Sequence, residues 1–180
     1  MLFRSALQRS KGWLQCDATV GSEVETRRHQ RVTSLGGTVY SVNAGLACPW
    51  PGGVQKASPK GVVSATLKAA HEQAQLDRPG GNNRSTELSV RYDQPLNATQ
   101  SLQASWQVGR TADQSGYSPL LESNAARRLQ RQTLSLGLRQ KLTTAWEARF
   151  NVEYFHQRAN LPLFELQGSL MMVGLTWRFD

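Results

Sequence analysis

Residue types that do chemistry are few and scattered in this chain. His29, His71 and His156 have no second ligand at metal spacing, so each reads as a loop or strand-end polar group. Carboxylates are present, but no Ser-His-Asp set, nucleophile elbow or phosphate loop falls on a suitable turn; no enzyme activity, metal or cofactor is expected. Cys16 and Cys48 form neither a CxxC pair nor a disulfide framework. What remains is positive charge: Lys+Arg 21 against Asp+Glu 13 gives +8 and a pI near 10.1, which favours an anionic partner. Nucleic acid, a lipid head group and an acidic polysaccharide all fit that sign.

The elements that position these charges are strands. Period-2 alternation dominates, and helical patterning is nearly absent after residue 11. Met171, Val173, Leu175, Trp177 and Phe179 point one way, with Met172, Gly174, Thr176 and Arg178 opposed. Trp146 to Tyr154, Leu134 to Leu138, Leu102 to Val108 and Leu88 to Tyr92 repeat the pattern, and Val63 to Ala69, Tyr40 to Cys48 and Leu14 to Val20 show it with less contrast. The expected fold is therefore all-β: about eight strands of roughly ten residues, the length of a tilted strand crossing a bilayer. Residues 1–11 are expected as an N-terminal remnant or linker, and 12–180 as the β domain.

Connections are expected to alternate in length. Gly21–Gly37, Gln73–Ser85, Arg110–Arg131 and His156–Gly168 read as long, Pro49–Gly61 as intermediate, and Gln94–Gln100 and Leu142–Ala145 as short. Short turns at one end and long loops at the other characterise an up-and-down outer-membrane barrel. Trp50, Tyr92, Trp146, Trp177 and Phe179 gather at the short-turn end of the apolar face, and Tyr40 and Tyr154 near the other, as two interfacial girdles would. Cys16 and Cys48 fall on that face too; the connection places them about two residues out of register, so small lipid-facing side chains are expected, with a disulfide as the alternative.

The opposite face carries Glu87, Arg91, Arg139, Glu147, Arg149, Glu153 and Arg178 among others. Such groups pair with one another inside a barrel, whereas a midplane Arg or Lys facing lipid costs about 2 to 4 kcal/mol, so this face is expected to line the lumen. A soluble barrel that turns its apolar face inward and binds nucleic acid, another polyanion or a small ligand is the alternative. Ten arginines against six acids fall in the long loops, among them Arg127, Arg128 and Arg131, which are expected to contact lipopolysaccharide phosphates or other anions.

Four stretches add resemblances. The ending Met172-Val173-Gly174-Leu175-Thr176-Trp177-Arg178-Phe179 resembles the β-signal read by the outer-membrane barrel assembly machinery, with Gly174, Trp177 and Phe179 matching. Gly116-Tyr117-Ser118-Pro119-Leu120-Leu121-Glu122, Ala126-Arg127-Arg128 and Gln157-Arg158-Ala159-Asn160-Leu161-Pro162-Leu163-Phe164 are similar to the C-terminal barrel of tetratricopeptide-repeat outer-membrane proteins, the surface lipoprotein assembly modifier group included. That resemblance covers about residues 85–180 and departs from the group in lacking a repeat region. It implies a bacterial outer-membrane location and a pore or export role in surface delivery of a protein or polysaccharide. The implied partners are outer-membrane lipid and lipopolysaccharide, the assembly machinery and an exported substrate, with no nucleic acid. No secretory signal precedes the strands, so the chain is expected to be the last part of a larger barrel or a small barrel with an earlier start.

Overall fold

In the computed structural model, residues 3–10, 16–27, 36–50, 60–75, 78–120 and 122–177 are described, 3–10 and 122 by their backbone alone. The fold is all-β. Nine strands follow one another in a single antiparallel meander, each hydrogen-bonded to its neighbours in sequence. They are β1 (Phe3–Ser10), β2 (Asp17–Arg27), β3 (Gly37–Trp50), β4 (Gly61–Ala74), β5 (Asn83–Pro95), β6 (Gln100–Gly116), β7 (Ala126–Lys141), β8 (Trp146–Ala159) and β9 (Leu166–Trp177). Among the described residues β1 pairs only with β2 and β9 only with β8, so the sheet is open at both edges.

Three expectations are corrected here. The 1–11 segment, expected as a remnant or linker, contributes β1, paired from Phe3↔Val24 to Ser10↔Asp17. The long Arg110–Arg131 connection is mostly strand: β6 has 17 residues and β7 16, and their ladder runs past Ala112↔Arg128 to Gly116↔Ala126. Backbone pairing needs no hydrophobic contrast, so polar stretches such as Gly109–Ser115 extend a hairpin that alternation alone would end early. Loop alternation is weaker than expected too, because β3 and β4 are separated by residues 51–60 at the end where the four-residue turns 96–99 and 142–145 lie.

Those two turns explain their own tightness. Asn97 Oδ1 accepts from the backbone N–H of Thr99 and Gln100, each at 2.8 Å. Thr143 Oγ1 accepts from the Trp146 N–H at 3.0 Å. Each side chain supplies the acceptor that a two-strand reversal leaves missing.

Register divides the sheet into two chemically opposite faces. One row runs Ala18, Leu46, Ala65, Val90, Trp106, Leu134, Tyr154, Ser169 across β2 to β9. In the paired positions of β2–β9, the face holding this row contains no Asp, Glu or Lys, and every Asp, Glu and Lys of those strands lies on the other. Among the described residues nothing covers the apolar face: Val20, Leu136, Val173 and Trp177 are 60%, 52%, 77% and 51% exposed, and Leu161 is the sole buried hydrophobic residue. Ser41, Asp113, Thr133 and Glu147 are buried on the polar face. That face curls around a cavity of about 420 Å³ lined from Arg27 on β2 to Gln157 on β8; laid flat, those seven strands would span about 29 Å, too far for one small cavity to touch.

Candidate functional site

The polar face is knitted by ion pairs and hydrogen bonds. Glu147 is buried and accepts from Arg149 Nε at 2.6 Å, with Arg139 Nε at 3.4 Å. Arg91 donates to Asp93 through two nitrogens, Lys68 reaches across β3 to Glu23 at 3.9 Å, and Ser105 and Ser135 share a hydrogen bond of 2.5 Å. Glu87, Arg91, Arg139, Glu147, Arg149 and Glu153 thus share one face as the alternation requires, while Arg178 lies outside the described residues. The face carries both signs, so it can hold water and ions without a large net field.

At the long-loop end, the stretches that carry the resemblance meet in one cluster. Arg127 forms a two-nitrogen ion pair with Asp113, at 2.9 and 3.2 Å, and its guanidinium lies 5.0 Å from the ring centres of both Tyr117 and Phe164. Those rings meet edge to face at 4.7 Å. Asn160 ties β8 to β7, accepting from the Arg128 N–H at 2.6 Å and donating to the Ala126 carbonyl at 2.8 Å. Gln157 Nε2 donates to the Phe164 carbonyl, and buried Leu161 immediately precedes the 3-10 turn Pro162–Phe164. The β4–β5 loop joins through Gly80, whose N–H donates to the Gly116 carbonyl and whose φ of 84° suits glycine. A Cβ there would collide with Asp113.

Arg127, Arg128 and Arg131 therefore do not form one anion-contact surface. Successive strand residues face opposite ways, so Arg127 and Arg131 belong to the polar face, Arg131 lying 5.9 Å from the Phe155 ring centre, and only Arg128 lies on the apolar side. There it is joined by Arg84, Arg110 and Arg158, expected in loops but standing on β5, β6 and β8. All four are even-numbered, like the apolar residues of the same strands, so parity fixes their face once the strands are known to extend that far. Asp113, one of the six acids expected in the long loops, stands instead on β6, where its odd position continues the inward series Gln103, Ser105, Gln107.

The assembly-signal residues divide similarly. Trp177 stacks on Trp146 across β8–β9, centroids 5.6 Å apart and planes at 4°. Gly174 sits on the other face with open space where a Cβ would go, and Phe179 is outside the described residues, as are Leu14, Arg28, His29, Arg31 and Asp77. Cys16 and Cys48 are joined in a disulfide, Cα atoms 4.2 Å apart, so small unlinked side chains are not what stands there. The Asp17↔Ala47 pairing puts the cysteines directly opposite each other, which removes the expected offset. Among the described residues no three His, Cys, Asp or Glu side chains gather as a metal-ligand set.

No family model, curated protein or solved structure matches this chain.

Proposed function

We propose that this chain is an outer-membrane β-barrel module, complete or as the C-terminal portion of a larger barrel, serving as a pore for export of a protein or polysaccharide to the cell surface. The observation that carries the reading is the uncovered apolar face, free of carboxylates and lysines over eight strands, set against a polar face that holds the ion pairs. In water such a face would be a large apolar patch seeking cover; in a bilayer the acyl chains supply it. Trp50, Trp146 and Trp177 at one end and Tyr40 and Tyr154 towards the other suit the two head-group boundaries.

An open edge cannot lie in hydrocarbon, because its N–H and C=O groups would have no partner. In this reading β1 and β9 pair with each other, or with strands beyond these nine. Bacterial barrels are generally even-stranded, and about eight strands enclose only enough room for their own side chains, so export of a polymer calls for the larger barrel. Leu166, Leu170 and Met172 place apolar side chains on the polar side of β9, and Leu170 and Met172 are 48% and 46% exposed, which suits an edge completed by a further element.

A soluble polyanion-binding barrel is less well served. Its stacking aromatics should interleave with Lys or Arg, yet Trp106, Tyr92 and Phe150 stand among Leu, Val and Ala. The test is electrophoresis of detergent-folded protein with and without boiling: a barrel migrates differently when unheated, and identical mobility would reject the reading.

A further inference from the structure

We infer that Arg84, Arg110, Arg128 and Arg158 form a phosphate-binding patch on the outer surface of the sheet, for the phosphorylated head group of a lipid whose acyl chains lie along the apolar face below. The inference rests on the membrane reading above and adds a site to it. The four arginines stand on four consecutive strands, and all are exposed. Arg84 is two residues from the partner of Arg110, which is two from the partner of Arg128, which is two from the residue opposite Arg158 in the β7–β8 ladder. Each step is thus a diagonal cross-strand contact of about 7 to 8 Å, close enough for one phosphate to engage two guanidiniums.

Four like charges so close repel unless an anion joins them. None makes an ion pair among the described residues, and the paired positions of their face offer no carboxylate; Arg110 has only the Gln130 amide oxygen, at 3.1 and 3.2 Å with that amide suitably oriented. Of the other strand arginines with described side chains, Arg27, Arg91, Arg127, Arg139 and Arg149 each meet a carboxylate, and Arg131 lies against the Phe155 ring. The four also line a single depression of about 450 Å³, together with Thr86, Ala112 and Gln130. Their height suits a head group. Arg158 is four residues beyond Tyr154 and Arg110 four beyond Trp106, about 13 Å further along each strand than the last aromatic of the apolar band. Arginine is the apt residue because its planar fork binds phosphate oxygens in pairs, and its stem remains compatible with acyl chains. A free phosphate would satisfy the same guanidiniums, but only a lipid also covers the apolar face beneath them.

The experiment uses the full chain reconstituted in phosphatidylcholine vesicles, with bis-phosphorylated lipid A as the probe. R110Q/R128Q is compared with R27Q/R91Q, which removes equal charge from the polar face at pairs whose carboxylates are exposed. Insertion is scored first, by protease protection, and lipid A affinity second. The expected result is insertion of all three proteins, with affinity at least about tenfold weaker for R110Q/R128Q alone and weak binding of the dephosphorylated glycolipid. Equal affinity in all three, or equal loss in both variants, would overturn the patch while leaving the membrane reading standing. Full competition by excess inorganic phosphate would overturn the lipid as its source. Failure of the unaltered protein to insert would instead overturn the membrane reading.

Discussion

Arg127 and Arg128, neighbours in the chain, stand on opposite faces of β7: the first is locked to Asp113 beneath Tyr117 and Phe164, and the second faces outward without a carboxylate among the described residues. Strand alternation alone separates them, and it gives two adjacent identical side chains different work. One fastens the loop cluster, and the other belongs to the outward patch.

The inward member should matter for stability. Asp113 has a side chain only 2% exposed, so Arg127→Ala leaves a buried carboxylate without its counter-charge. A loss of about 3 kcal/mol is expected, with faster proteolysis within residues 117–125, whereas Arg128→Ala should change stability little. Denaturant unfolding and limited proteolysis of the two variants check this.

Joining Cys16 to Cys48 closes a loop with a sequence separation of 32. In the chain-entropy description that restricts the unfolded chain by about 3.7 kcal/mol. Cys16→Ser, or treatment with reductant, should lower the unfolding temperature, and reductant should have no further effect on the serine variant.

Phe155 lies over Gly168 on the polar face, where a Cβ would come within 2.7 Å of its ring. Gly168→Val should destabilise by about 1 to 3 kcal/mol by displacing the ring. Combining it with Phe155→Ala should cost less than the two single changes added together, which a double-mutant cycle measures.

The two faces should respond oppositely to charge. Leu136→Arg puts a cation on the apolar face and should cost about 2 to 4 kcal/mol in a bilayer, while Asn151→Arg on the polar face should be tolerated. Were the apolar face bathed in water, Leu136→Arg would be near neutral. Unfolding from lipid vesicles by urea distinguishes the two.

Much of the sheet was legible because β-strands write their facing into alternate residues. Leu134-Leu136-Leu138 and Trp146-to-Tyr154 gave element, face and register together, since a one-residue slip would invert them. Legibility ended where contrast did. Arg84, Arg110 and Arg158 lie above the apolar band, among polar residues on both faces, so nothing in their neighbours marked strand rather than loop. The disulfide was hidden for a related reason: the weak alternation of β2 and β3 set their pairing too loosely to align Cys16 with Cys48. The Asp113–Arg127 pair depends on where the β6–β7 hairpin turns, which is fixed locally where the Tyr117 N–H donates to the Ala125 carbonyl.

The most direct measurement concerns Trp106, midway across the apolar face and 42% exposed. In a variant whose other four tryptophans are replaced by phenylalanine, reconstituted with acyl-chain-brominated lipids, Trp106 should show blue-shifted emission and strong quenching. Emission at the wavelength of tryptophan in water, unquenched by bromine in the bilayer, would contradict an apolar face turned to lipid.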